Sequence, residues 1–487
     1  MVVIAVLAAA VLAGAASGAS GSATLPPIRH VWIIVLENEN GATSFGASSP
    51  APYLARTLPA MGQYLPNYYG IGHASNDNYI AMISGEGPNP QNQADCQIFD
   101  DFEPGLEGPN GQAIGSGCVY PSWVLTVANQ LNGAGYTWKA YEEDMGDTPS
   151  RESMTCGHPK VGSVDGTQEA TASDMYATRH DPFVYFDSII DSPICNQDVV
   201  NFDQLAGDLK SVATTPNYSF ITPNLCDDGH DSPCANGQPG GLTSANAFLA
   251  RTVPEILASP AFQENGLLIV TFDESGNDDS SCCGEAADTQ AANGSNTPNA
   301  SGDDGVGNGG GVIGAVLVSP YIEAGSVNQT AYNHYSMLGS IENLFGLQRL
   351  GFAGVAGLPT FGADVFGRTT PAPPTGSLSA APTGSTGAAG SAGRCTGKAP
   401  LGHGALAKGT LIGDALLVSY GKRPALLLGL EAAAKVAITV RVHGRSEKLR
   451  SFAGRSCKAY SIWLPRGSAR VTVVASIAGA HETRSLG

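Results

Sequence analysis

Four short apolar runs stand out along the first three quarters of the chain: HVWIIVLE (30–37), YSFITPN (218–224), GLLIVTFDE (266–274) and GVIGAVLVSP (311–320). Each is too short for a core helix and is bounded by polar or Gly-rich residues, so each predicts a buried strand. Between them, Ser122–Leu131, Phe202–Val212, Ala245–Leu257 and Tyr335–Phe345 carry helical spacing. Continuous apolar strands alternating with helices predict an α/β fold, a mostly parallel sheet covered by helices on both faces. In such sheets ligands sit beyond the carboxyl ends of the strands. The last hundred residues read differently. ALLVSYG, PALLLGLE, KVAITVRVHG, YSIWLP and ARVTVVASIAG are β-rich runs separated by Gly, Pro and basic turns, which predicts a small β-sandwich.

Between the two patterns, residues 369–393 (TTPAPPTGSLSAAPTGSTGAAGSAG) carry no charge and read as a flexible linker. At the other end, Met1–Leu12 is unbroken apolar sequence followed by small residues through Ala23. That is the form of a secretory signal peptide over 1–23, although a basic n-region is missing. The predicted organisation is therefore a signal peptide 1–23, a catalytic domain 24–368, a linker 369–393 and a basic β-rich domain 394–487.

Charge sharpens this division. The 487 residues carry a net charge of −18, but residues 394–487 hold 15 Lys or Arg against four acids, +11, which leaves −29 for residues 1–393. A chain this acidic lacks the basic footprint of a nucleic-acid binder, so no nucleic-acid partner is expected. Its field repels phosphates, and phosphate chemistry here requires a local positive charge. The basic tail instead suits an anionic membrane or cell-wall surface. Of ten cysteines, eight lie in the acidic part and two, Cys395 and Cys457, in the tail. In an exported protein they are expected to pair within each part, with connectivity among the eight left open.

The strand ends carry the candidate chemistry. The first strand ends in Glu37-Asn38, the second runs into Asn224-Leu-Cys-Asp227-Asp228-Gly-His230-Asp231, and the third ends in Asp273-Glu274. Such oxygen-rich sets suit a hard divalent cation, magnesium, calcium or manganese, and nearby imidazole extends the choice to zinc. In GHASNDNY (72–79), Ser75 or Asn76 is placed to cap a helix opening at the apolar run Ile80–Ile83. A helix N-terminus also offers N–H groups to a phosphate oxygen.

The ordered motifs HVWIIVLENEN…SFG, GHASNDNYIAMISG, PNLCDDGHD, IVTFDES and NHYSMLGSIENLFGL resemble the bacterial phosphoesterase family of phospholipases C and secreted acid phosphatases, related to the alkaline phosphatase superfamily. The matches span roughly residues 28–347 and leave the tail out. The resemblance implies an alkaline-phosphatase-like catalytic domain. It makes Glu37, Asn38, Asp273 and Glu274 metal ligands, Ser75 the nucleophile and Asn78 a phosphate-contacting amide. His230 and His334 match histidines near the leaving group or metal, and His73 and His180 are further pocket residues. Where the family often has Pro before that Asn, this chain has Asp77. The function so implied is a secreted or cell-surface, metal-dependent hydrolase of phosphate monoesters, including phosphatidylinositol phosphates, acting through a phosphoserine. A phospholipase C-type diesterase is the alternative within the family. A cell-surface binding protein with an inactive phosphoesterase-like part is the rival from another class.

Overall fold

The structure, a computed structural model, describes residues 25–283, 309–368, 370–371 and seven strands between 412 and 486. The expected signal peptide, nearly all of the linker and the Cys395–Cys457 pair lie outside the described residues. The chain divides into two compact units, Met1–Ser377 and Leu378–Gly487.

In the first unit eight strands form one sheet: β1 (His30–Leu36), β2 (Gln63–Leu65), β3 (Trp138–Glu142), β4 (Val199–Asn201), β5 (Tyr218–Thr222), β6 (Gly266–Phe272), β7 (Ala315–Val318) and β8 (Ser326–Val327). Their spatial order is β8-β2-β7-β6-β1-β5-β3-β4. β6, β1, β5, β3 and β4 run parallel, and β7 is antiparallel to both its neighbours. Every residue of β1, β5, β6 and β7 is buried, so both faces of the central strands are covered. This is why these segments are continuously apolar rather than alternating. The four predicted strands are all present; β2, β3, β4 and β8 are short and carry no comparable apolar run.

The main helices are α1 (Ser75–Ser84), α2 (Val127–Ala134), α3 (Gly241–Ala258) and α4 (His334–Phe345). Two expected helices are altered by side-chain competition for the backbone. The one expected from Ser122 starts only at Val127, because Thr126 accepts from the Asn129 amide and Asn129 returns the bond. That reciprocal cap fixes the start. The one expected over Phe202–Val212 shrinks to a turn and a short helix, Leu205–Asp208. The Thr214 and Thr215 hydroxyls both take the Asp208 carbonyl, at 2.8 and 2.9 Å, which stops propagation there.

The eight cysteines of the acidic part form four disulfides, Cys96–Cys118, Cys156–Cys195, Cys226–Cys234 and the adjacent pair Cys282–Cys283. Among the described residues no helix is long and apolar enough to cross a membrane.

The second unit contains two antiparallel sheets, as the tail pattern predicts. One holds Ile412–Tyr420, Arg423–Leu430 and Lys458–Trp463; the other holds Arg445–Gly454, Ala434–Val442, Ser468–Ile477 and Ala480–Leu486. Val436, Ile438, Val440 and Val473 are buried. The strands from Arg445 and Ala480, RSEKLRSFAG and AHETRSL, are polar and carry no apolar run.

Candidate active site

The parallel register brings the strand ends together. Leu36 pairs with Phe272, so Glu37 and Asp273 leave β1 and β6 side by side, and the Asp273 amide donates to the Leu36 carbonyl at 2.9 Å. From the other side, the Glu37 amide donates to the Asp228 carbonyl at 3.0 Å. Three carboxyls from three adjacent strands thus meet at one buried point.

Helix α1 supplies the hydroxyl. Its cap position is Ala74, not Ser75 or Asn76, and no side chain caps it. Ser75 is the first helical residue, free to turn inward, and its Oγ donates to Glu37 Oε2 at 2.8 Å. One turn on, the Tyr79 hydroxyl donates to Glu37 Oε1 at 2.5 Å. The helix begins at Ser75 despite Asp77 in place of Pro. Asp77 is buried beneath the preceding loop, and a Cβ on Gly72 would lie 2.4 Å from its Oδ2. Glycine at 72 is what allows that close approach.

His180 completes the centre. It is buried, stacks on Tyr79 with ring centroids 5.2 Å apart, and places Nε2 3.5 Å from Glu37 Oε2 and Nδ1 3.3 Å from Asp228 Oδ2. One donor atom each from Glu37, His180 and Asp228 lies within 4.8 Å of the others. His180 Nε2, Asp228 Oδ2 and Asp273 Oδ2 are buried without a hydrogen-bond partner. Buried polar atoms are otherwise nearly always paired, so unpaired oxygen and nitrogen donors converging here fit a divalent cation.

The electrostatics agree. Burial, then the Asp273 and Asp228 charges, push the Glu37 carboxyl well above the ordinary carboxylate range. Burial does the same to Asp228 and Glu274, with Asp273 adding to the effect on Glu274. Asp273 rises to about 6, burial outweighing the Asn38 amide that donates to it. Burial, with Arg179 and His230 behind it, lowers His180. Crowded carboxyls and a neutral imidazole are the protonation pattern that a bound cation relieves.

The other predicted residues divide by position. Asn38 braces the acidic pair, its amide nitrogen 3.0 Å from Asp273 Oδ1 and its Nδ2 3.4 Å from Glu274 Oε1. Asn78 is engaged within the protein: Nδ2 donates to Glu274 Oε2 at 3.1 Å, and Oδ1 accepts from the Ile71 amide at 2.6 Å. His230 stands at the mouth, one third exposed, with Nδ1 2.9 Å from Asp231 Oδ1 and its ring 6.0 Å from that of His180. His334 lies beneath the site, Nε2 on the Asp273 carbonyl at 2.6 Å and Nδ1 on the Tyr68 hydroxyl at 3.2 Å. Burial lowers it to about 4, so it is neutral near pH 7 with both nitrogens occupied. His73 is half-buried near the Asp278 carboxylate, its Nε2 without a partner.

Three participants were not singled out from sequence. Asp228 lies in the quoted PNLCDDGHD motif, but nothing there distinguishes it from Asp227, which turns away to Arg251 at 2.9 Å. Tyr79 lies one helical turn after Ser75, a spacing that becomes informative once the helix start is fixed. Arg179, beside His180, carries no pattern of its own.

The phosphoesterase family model matches residues 61–348, more than half of the chain. The chain belongs to the phosphoesterase family. It is 27% identical over 297 residues to the phosphate-repressible acid phosphatase of Penicillium chrysogenum, covering 60% of this chain and 54% of that one. It is 27% identical over 358 residues to the phosphatidylinositol-3-phosphatase of Mycobacterium tuberculosis, covering 72% of this chain and 90% of that one. The chain thus spans a little over half the length of the fungal acid phosphatases it matches. Among solved structures, an alkaline phosphatase superfamily protein from Vibrio parahaemolyticus aligns at TM-score 0.39 and 10% identity, over 96% of this chain and 84% of that one.

Proposed function

We propose that this phosphoesterase is an exported hydrolase of phosphate monoesters, phosphoinositides among them, acting through a phosphoserine on Ser75. The observation that carries the proposal is the 2.8 Å hydrogen bond from Ser75 Oγ to Glu37 Oε2, at a helix N-terminus above buried acids. A hydroxyl needs a proton acceptor to become a nucleophile, and Glu37 is that acceptor. Ser75 Oγ bonds to phosphorus as the bond to the ester oxygen breaks, and its proton passes to Glu37. The first turn of α1 directs its positive dipole end at the phosphoryl oxygens. His230, fixed through Nδ1 by Asp231, is the candidate to protonate the departing oxygen at the mouth with a proton that Nε2 takes from solvent. Water then cleaves the phosphoserine, releasing phosphate and restoring Ser75.

The cation that the donor set fits would be held by Glu37, Asp228 and His180, with Asn38, Asp273 and Glu274 around them. When bound, it would supply positive charge to the phosphoryl oxygens and ease ionisation of the seryl hydroxyl. The names of the relatives support the substrate class, and the four disulfides support an oxidising, extracellular setting.

A chromogenic monoester assay tests the proposal on wild type, chelated wild type and Ser75→Ala. Turnover is expected to fall by about 10³-fold or more in Ser75→Ala. Near-normal Ser75→Ala turnover refutes the nucleophile, and turnover surviving chelation refutes the metal. A folded wild type inactive on every ester favours the binding-protein reading.

A further inference from the structure

Arg179 is buried, only 4% exposed, and lies near the acids of the centre. A buried guanidinium ordinarily sits against a carboxylate. Yet no carboxylate lies within 4.0 Å of Arg179 among the described residues. One guanidinium nitrogen donates to the Gln168 carbonyl at 2.9 Å, and another lies 3.3 Å from His230 Nε2. Its charge still reaches the centre, lowering His180 and offsetting the rise of Asp228.

The backbone holds this cation in place. The Arg179 carbonyl accepts from Asn76 Nδ2 at 3.1 Å, which ties it to the residue after Ser75. The next residue, His180, lies 3.5 Å from the carboxylate oxygen that receives the seryl hydroxyl. Arg179 is thus a buried cation whose backbone is tied to the start of α1 and whose charge acts on Asp228, with no carboxylate within 4.0 Å of it among the described residues.

We propose that Arg179 is the anion-recognition residue of this site and selects substrates whose phosphoryl group is terminal and doubly charged. The inference rests on the phosphoesterase reading and deepens it. A monoester presents a dianion and a diester a monoanion, so the buried carboxyls repel the monoester more strongly. A fixed guanidinium reverses that preference, because its planar N–H pairs match two phosphoryl oxygens. Binding would also draw Arg179 away from His230 Nε2, leaving that nitrogen to take up a proton from solvent and pass it to the departing ester oxygen.

The experiment compares kcat/KM on para-nitrophenyl phosphate and bis-para-nitrophenyl phosphate, and inhibition by inorganic phosphate, in wild type, Arg179→Gln and Arg179→Lys. Arg179→Gln is expected to lower the monoester value by about 100-fold and the diester value by about fivefold or less, while weakening phosphate inhibition at least ~10-fold. Arg179→Lys keeps a point charge without the paired donors, so its monoester-to-diester ratio falls by about three- to tenfold. Parallel losses on both esters, with the ratio within about twofold of wild type, overturn the proposal in favour of a structural role. If Arg179→Gln does not fold, the Arg179→Lys ratio decides alone on the same criterion. A wild type that cleaves only the diester also overturns it. A wild type inactive on both overturns the phosphoesterase reading itself, whereas an active wild type with insensitive variants overturns this inference alone.

Discussion

Glu342 provides a stability prediction whose sign and size follow from its surroundings. It lies on α4, the helix that begins at His334, and is fully buried. Its Oε1 accepts from the Leu350 amide at 2.8 Å, while Oε2 has no partner. Burial outweighs that bond and the nearby Arg349 charge, raising the carboxyl from 4.5 to about 8. Folding therefore takes up a proton wherever the unfolded chain is ionised and the folded one is not. The stability contribution is greatest below pH 4.5 and is lost progressively as the pH climbs to about 8. The slope is about 1.4 kcal/mol per pH unit, giving a loss on the order of 3 kcal/mol by pH 7.

Glu342→Gln keeps the acceptor for Leu350 but cannot ionise. At pH 5 the variant is expected to be less stable than wild type by about 1–3 kcal/mol, because its new amide N–H groups lack partners. The gap should close and then invert as wild type loses stability toward pH 8. Urea denaturation of both proteins at half-unit pH steps from 5 to 8 measures this directly. Stability curves that stay parallel across that range would refute the assignment of a protonated, buried Glu342.

Tyr79→Phe removes the hydroxyl that donates to Glu37 while leaving the ring stacked on His180. A hydrogen bond to a charged group is worth ~1.5–3 kcal/mol, so kcat/KM should fall by about 10- to 100-fold with little loss of thermal stability. Asp228→Asn removes a candidate cation donor. Metal content per chain after dialysis should fall, and titration with manganese should show an affinity about 10-fold or more weaker. Unchanged metal content would exclude Asp228 from the centre.

The parts of this molecule that were legible in the sequence are those where one physical requirement acts alone. β1, β5, β6 and β7 are buried on both faces, and uninterrupted apolar runs are the direct result. Glu37 and Asp273 follow β1 and β6 immediately, so knowing the strand places the acid. β3 and β4, short and partly polar, gave no such signal, and the Leu205–Asp208 helix was cut short by hydroxyls several residues away. The same distinction runs through the site. Ser75 could be read only as a cap or, by resemblance, as a nucleophile, because its direction depends on Ala74 taking the cap position. The pairing of His180 with Asp228 joins a loop to the end of β5, a contact between segments distant in sequence. Arg179 is unremarkable as a letter and informative only once no described carboxylate lies within 4.0 Å of it.

The central claim is that Ser75 carries the phosphoryl group between substrate and water. Acid-quenched turnover of a phosphate monoester, followed by peptide mass spectrometry, tests it directly. The account predicts one phosphoryl group on the peptide containing Ser75, present during turnover and absent without substrate or in Ser75→Ala. Steady turnover with no phosphoryl group on that peptide, together with an active Ser75→Ala, would contradict it.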